Sequence, residues 1–211
     1  MLKNMFSIES RFYKLVELVG DLLLLNLLFI VLSLPILTIG ANLSALFYAF
    51  MKKIDKQDSQ FFKNYVYALK MNGKQATSLW FVFLLIGIIL IGDFIYFRYF
   101  VEGVWRLVAW LFAGILLYWF VLIIYVFALQ SRFENKILRI VLNAMMLSVI
   151  HFGTTFLMVL ILVILSFCII FIPYQTVLYG SVFMMVIGFS VVIYLFSILM
   201  CTIFKFYIVD S

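Results

Sequence analysis

The feature that most limits how this chain can fold is a run of 65 residues, from Ile140 to Phe204, without Asp, Glu, Lys or Arg. A second uncharged run covers positions 22–50. About 20 apolar residues suffice for one helix to cross a bilayer, so the first run is long enough for two crossings. Of the 211 residues, 68% are hydrophobic and 11% are charged, against about 25% charged in soluble domains. We therefore predict an all-α, polytopic transmembrane helix bundle.

A single transmembrane domain, residues 1–211, is expected to contain about five membrane segments. Their predicted ranges are 22–50 with a Pro/Gly break, 76–97, 107–129, 150–172 and 178–204. A turn at Pro173-Tyr174-Gln175 would separate the last two segments. The polar stretches 1–21, 51–78 and 130–148 repeat apolar residues on one helical face and basic residues on the other. This pattern predicts amphipathic helices beside the spans.

The segment 22–50 leaves two alternatives open, because Pro35 and Gly40 interrupt it. It either crosses the membrane once, at about 22–42, or forms a re-entrant pair of half-helices. Asn26 and Asn42 flank the break, and polar residues beside a broken helix contact substrate in some transporters. Such residues also form hydrogen bonds between helices. Asn26, Pro35, Thr38, Gly40 and Asn42 are therefore the predicted helix-break or packing site.

Lys and Arg residues are unevenly distributed among the polar segments. The stretches 51–78 and 130–148 must share a side, since two spans separate them, and they hold nine basic residues against two in 93–106 and 173–177. The positive-inside rule places them, and the C-terminus, in the cytoplasm. A single crossing by the first segment would put the N-terminus outside, with 10 basic residues inside and 5 outside. A re-entrant pair would put it inside, with a distribution of 13 to 2.

Ionisable residues within the predicted spans are few, and none forms a recognisable catalytic pattern. Asp93 and Arg98 lie at nearly helical spacing and could form an intramembrane ion pair, or Asp93 could line a functional path. His151 is the only histidine and has no Cys, Asp or Glu near it in sequence to complete a metal site. Hydrolase, nucleotide-binding and zinc-protease motifs are absent. We expect no enzymatic activity, cofactor or metal. The net charge of +6 fits topology and anionic lipid headgroups better than nucleic acid.

Several stretches together resemble the YesL-like bacterial membrane proteins, domain-of-unknown-function family 624. The most specific is Pro35-Ile36-Leu37-Thr38-Ile39-Gly40-Ala41. The others are Asp21-Leu22, Leu25-Asn26-Leu27-Leu28-Phe29, Ala45-Leu46-Phe47-Tyr48, Phe61-Phe62, Lys74-Gln75-Ala76-Thr77, Trp80, Ser131-Arg132-Phe133-Glu134-Asn135 and Asn143-Ala144. The resemblance covers nearly the whole chain.

What the resemblance implies is a small multi-span protein of the bacterial plasma membrane, often encoded near carbohydrate ABC-transporter and sensor-kinase genes. It suggests a non-enzymatic accessory component of carbohydrate uptake or its sensing, with the lipid bilayer and a transporter permease as partners. The family has no established catalytic residues. The alternative function is a transport component, or a substrate-binding membrane subunit, in its own right. That function would need a polar cavity, and polar residues are scarce in 107–129 and 150–204.

Overall fold

Uncharged stretches with few helix-breaking residues dominate the chain, and the computed structural model is accordingly built of helices. It describes residues 2–55, 60–171, 180, 182 and 184–208, and no strand occurs among them, which confirms the all-α class. Its α-helices with defined bounds are α1 (Leu2–Leu32), α2 (Ile39–Ile54), α3 (Phe61–Ile95), α4 (Val108–Arg132), α5 (Ile137–Ile150), α6 (Phe152–Phe171) and α7 (Phe189–Ile208).

Shorter helical turns connect several of these helices. A 3₁₀ turn at Ile36–Thr38 lies between α1 and α2, and a π-helical turn at Met184–Gly188 leads into α7. Between α3 and α4 a π-helical turn, Tyr96–Phe100, is followed by a 3₁₀ turn, Gly103–Leu107. Gly103 begins the latter with φ +68°, a conformation that glycine adopts without steric cost.

Four stretches among the described residues are long and apolar enough to cross a membrane. They are Leu15–Leu32, Phe61–Phe100, Gly103–Arg132 and Met185–Tyr207. Helix α5 and the first part of α6 form a further candidate as a pair bent by 95°. The prediction of a polytopic bundle with about five membrane segments is therefore confirmed. The turn predicted at 173–175 lies outside the described residues.

Helix α3 joins two features that the sequence suggested separately. The amphipathic stretch predicted within 51–78 and the span predicted at 76–97 are parts of one 35-residue helix. At 1.5 Å per residue, such a helix is about 52 Å long, well beyond the hydrocarbon thickness of a bilayer. Its first half carries Lys63, Lys70 and Lys74 on exposed positions. The basic half of α3 therefore extends beyond the apolar half as a continuous helix.

The most central element is α2, which packs against α1, α3, α4 and α7. Small residues on α2 allow this, because they let neighbouring backbones approach closely. At Gly40 an added Cβ would lie 2.9 Å from the Ala76 carbonyl oxygen of α3 and 2.9 Å from Cζ of Phe127. The buried residues of α2 are Gly40, Ala41, Asn42, Ser44, Ala45, Leu46, Phe47, Ala49, Phe50 and Met51.

Helices α1 and α2 form an antiparallel hairpin around the Pro35–Gly40 break. Near its open end, the Lys53 ammonium lies 3.7 Å from a carboxylate oxygen of Asp21 and 3.9 Å from one of Glu17. At the closed end, Asn42 donates a hydrogen bond to Ser33. The chain thus folds back on itself, so that Lys53 lies beside Glu17 and Asp21 of α1. However, α1 is a helix of 31 residues rather than a short half-helix, because the amphipathic stretch 1–21 continues into it.

The two basic stretches meet around the end of α4, in a region that we call the polar end (residues 52–55, 72–75 and 130–136). The Gln75 amide donates to the Asn135 carbonyl at 2.7 Å, and the Gln130 amide donates to the Asn72 carbonyl at 3.3 Å. These bonds join α3 to α4 and to the loop before α5. Residues 72–75 and 130–136 therefore lie at the same end of the α3–α4 pair, as two intervening spans require.

Candidate functional site

Asn42, in the first turn of α2, connects three elements at the helix break. Its amide nitrogen donates to the Ser33 hydroxyl at 2.9 Å, and its amide oxygen accepts from the Tyr65 hydroxyl at 3.0 Å. The side chain is 1% exposed. Because both ends of the amide are bonded within the protein, Asn42 fixes the end of α1 and the first half of α3 against α2.

The backbone carbonyls released by the break are also bonded within the protein. The Thr38 hydroxyl lies 2.5 Å from the Leu32 carbonyl oxygen and 2.7 Å from that of Pro35. The Trp80 indole N–H donates to the Ile36 carbonyl at 2.8 Å. Pro35 itself precedes the 3₁₀ turn in an extended conformation. In transporters, carbonyls at such a break coordinate ions or substrate. Here the carbonyls of Leu32, Pro35 and Ile36 accept hydrogen bonds from side chains of the same protein.

Asn26 joins α1 to the π-helical turn that precedes α7. Its amide nitrogen donates to the Met185 carbonyl at 2.6 Å, and its oxygen accepts from the Ser190 backbone N–H at 3.0 Å. The π-helical turn at Met184–Gly188 disturbs the regular helical bonding there, and such turns need side-chain partners within a membrane. Asn26 is 0% exposed and joins the interior of α1 to the π-helical turn and the start of α7.

A third buried polar contact joins α2 to α4, within one helical turn of Asn42. The Ser44 hydroxyl of α2 donates to the side-chain oxygen of Gln130 on α4, while the nitrogen of Gln130 reaches α3. Ser44 and Gln130 are 1% and 2% exposed. Helix α2 is therefore held against α1 and α3 by Asn42 and against α4 by Ser44, at positions within one helical turn of each other.

The ion pair between Asp55 and Arg132 was not anticipated from the sequence. A guanidinium nitrogen lies 2.7 Å from the carboxylate, and the two side chains are 22% and 14% exposed for Arg132 and Asp55 respectively. The guanidinium also lies 5.9 Å from the ring centroid of Phe204 on α7. Only the position of Arg132 in the Ser-Arg-Phe-Glu-Asn stretch hinted at a role. The pair joins the ends of α2 and α4.

Asp93 and Arg98 lie toward the other end of α3, in or beside the turn that follows it. Within the described part of the chain, no ion pair joins them. Instead, the Arg98 guanidinium lies 5.7 Å from the ring centroid of Tyr99. His151 occupies the bend between α5 and α6, where its Nε2 lies 3.1 Å from the Tyr207 hydroxyl. Its ring stacks on Phe206, with 6.0 Å between centroids.

Together these features define a polytopic α-helical membrane protein whose central helix is fixed by a broken hairpin and by buried interhelical hydrogen bonds. Residues 22–94 match the profile of a family described as protein of unknown function, DUF624. The DUF624 resemblance noted in the sequence is thus confirmed over residues 22–94, rather than over nearly the whole chain, and this part contains Asn26, Asn42, Tyr65 and Trp80. Comparison with curated proteins and with solved structures found no match.

Proposed function

We propose that this protein is a non-enzymatic accessory component of the bacterial plasma membrane that associates with a carbohydrate ABC transporter during uptake or sensing. The transporter association is what the family resemblance implies. The polar end would lie in the cytoplasm, together with the C-terminus, and nucleic acid would have no part in the function. A permease of the transporter would be the protein partner, bound by helix–helix contacts within the bilayer.

The observation that carries this proposal is the use of the polar groups at the helix break. Asn26 and Asn42 are the residues most suited to contact a solute, and both are buried with their amides bonded to other groups of the chain. A solute would have to break these bonds, at a cost of about 1 kcal/mol each. The bonded amides therefore favour a structural contact between helices over a substrate site. This favours the accessory role over the transport alternative.

Extended apolar faces of the helices offer surface for a membrane partner. Six apolar side chains of α3 are 43–63% exposed: Phe81, Val82, Leu85, Ile86, Ile88 and Ile89. Within a bilayer such a face contacts either lipid chains or another helix, and close packing decides between them. This supports association through the membrane-spanning helices.

The experiment is affinity purification of the full chain in mild detergent, combined with sugar-uptake measurements in a deletion strain. We expect recovery of an ABC-transporter permease and a reduced uptake rate after deletion. Wild-type protein and the Gly114→Ala variant should restore uptake, because no atom lies within 4 Å of a Cβ at Gly114. Gly40→Ala, which disturbs the packing of α2 on α3, should restore it less well. Absence of any permease, together with unchanged uptake in the deletion strain, would contradict the proposal.

A further inference from the structure

Two grooves of different chemistry meet at the loop between α4 and α5. The first, about 580 Å³, has both polar and apolar surface; we call it the polar groove because its lining includes Asn72, Gln75, Glu134, Lys136 and Arg139. The second, about 290 Å³, is mainly apolar and includes Leu129, Met146, Leu147, Ile150 and Phe204. Phe133 and Asn135 line both grooves. The surface therefore has adjoining polar and apolar parts.

The polar groove carries a small positive charge. Lys136 and Arg139 contribute two cations and Glu134 one anion, which leaves a formal charge of +1, and all three side chains are exposed. The first turn of α5 begins here, and no side chain caps it. Free backbone N–H groups and the positive end of the helix dipole favour an anion at such a turn. A ligand with one negative charge would match this groove.

The grooves lie where the headgroup layer of a bilayer would be expected. They adjoin the ends of two candidate spans, Gly103–Arg132 and Met185–Tyr207, through Leu129, Phe133 and Tyr207. Basic pockets between helices at this level are suited to lipid headgroups. An acidic peptide would use the polar groove but would leave the apolar groove without an obvious occupant.

We propose that the two grooves together bind one anionic phospholipid. Its phosphodiester lies in the polar groove beside Lys136 and Arg139, and one acyl chain lies in the apolar groove against Met146 and Phe204. The single negative charge of the phosphodiester balances the charge of the polar groove. The acyl chain covers the exposed apolar surface of the second groove, which would otherwise contact water. This lipid site is independent of any association with a transporter.

Lipid retention by the purified full chain tests the proposal. The protein is reconstituted in an equal mixture of phosphatidylglycerol and phosphatidylcholine, re-extracted in mild detergent, and its bound lipid is counted by native mass spectrometry. We expect about one phosphatidylglycerol per chain, in preference to phosphatidylcholine. Each basic residue near an anionic lipid contributes about fivefold in affinity, so Lys136→Gln with Arg139→Gln should weaken retention by about 25-fold.

Lys63→Gln with Lys70→Gln is the matched control, since it removes the same charge from exposed positions of α3 that do not line the grooves. It should leave retention within about twofold of the wild type. Met146→Trp should fill the apolar groove and lower retention, whereas Val149→Trp, on an exposed position outside it, should not. Retention of the fold in each variant is checked by its thermal unfolding midpoint.

Three results would overturn the proposal. An equal loss of retention in the Lys136/Arg139 variant and in the Lys63/Lys70 variant would indicate a diffuse attraction to anionic surfaces. Displacement of the lipid by inorganic phosphate alone, with no effect of Met146→Trp, would indicate an anion site without a chain groove. Retention of phosphatidylcholine as strongly as phosphatidylglycerol would exclude recognition of the headgroup charge.

Discussion

At Gly40, helices α2 and α3 approach so closely that no side chain fits between them. The Ala76 backbone oxygen stands 2.9 Å from an ideal Cβ, and backbone cannot move aside as a flexible side chain can. We expect Gly40→Ala to lower the free energy of unfolding by about 1–3 kcal/mol, as overpacking does in other tight interiors. Denaturant titration in detergent measures the effect. Gly114→Ala, in open space on α4, should change stability little, and equal effects in the two variants would contradict the close contact.

The variant Tyr65→Phe tests the hydrogen bond between Tyr65 and Asn42. Tyr65→Phe removes only the hydroxyl that donates to the Asn42 oxygen at 3.0 Å, and this hydroxyl is buried. Interhelical hydrogen bonds in membrane proteins contribute about 0.6 kcal/mol on average and up to about 1.7 kcal/mol. A loss of stability in this range is expected. Tyr67→Phe is the matched control, because Tyr67 is 52% exposed. A loss as large at Tyr67 would mean that the Asn42 contact contributes nothing specific.

At the scale of whole elements, the Asp55–Arg132 pair holds the ends of α2 and α4 together. Asp55→Asn would leave the guanidinium largely buried without its anion. Breaking fully buried pairs costs about 3–5 kcal/mol, so we expect about 1–3 kcal/mol for this partly exposed pair. Glu134→Gln, at an exposed side chain of the same end, should cost little.

A double-mutant cycle separates this attraction from simple charge effects. Asp55→Arg and Arg132→Asp should each destabilise the fold, and their combination should recover part of the loss if the two charges interact directly. The readout is the thermal unfolding midpoint of the purified protein. Additive losses in the combined variant would show that the two side chains act independently.

The helical elements were predictable to different degrees, for physical reasons. Length and apolarity alone predict the all-α membrane class, and Pro35 with Gly40 predicts the break, because proline removes a backbone donor within a helix. The return of α2 alongside α1 was left open, since it depends on Lys53 meeting Asp21 across the hairpin. Local patterns do not encode such long-range pairing. The partners of Asn26, 159 and 164 residues away, were hidden for the same reason.

At the scale of the whole molecule, ion pairs and hydrogen bonds gather the ends of several helices. Glu17 and Asp21 of α1 reach Lys53 of α2, and Asp55 reaches Arg132 of α4. Helix α4 has 25 residues, so at 1.5 Å per residue its two ends are about 37 Å apart. This exceeds the roughly 30 Å of a bilayer core. Glu134, after α4, and Val104, before it, therefore belong to opposite sides of a membrane.

Cysteine labelling can establish which residues share a side. In a chain carrying Cys168→Ala and Cys201→Ala, we expect a membrane-impermeant maleimide to label Val104→Cys in intact cells. Glu134→Cys should react only after the cells are opened, because nine Lys and Arg residues in 51–78 and 130–148 favour the cytoplasm.

Tyr13→Cys provides the decisive comparison for the hairpin. Tyr13 is 72% exposed and lies one helical turn before Glu17, hence near Lys53 and the polar end. Tyr13→Cys should therefore react with the maleimide only after the cells are opened, as Glu134→Cys does. The basic residues would then divide 13 inside to 2 outside. Labelling of Tyr13→Cys together with Val104→Cys in intact cells would instead require a single crossing by the first segment. The Lys53 contacts with Glu17 and Asp21 could not then form in the membrane, and the broken hairpin would be wrong.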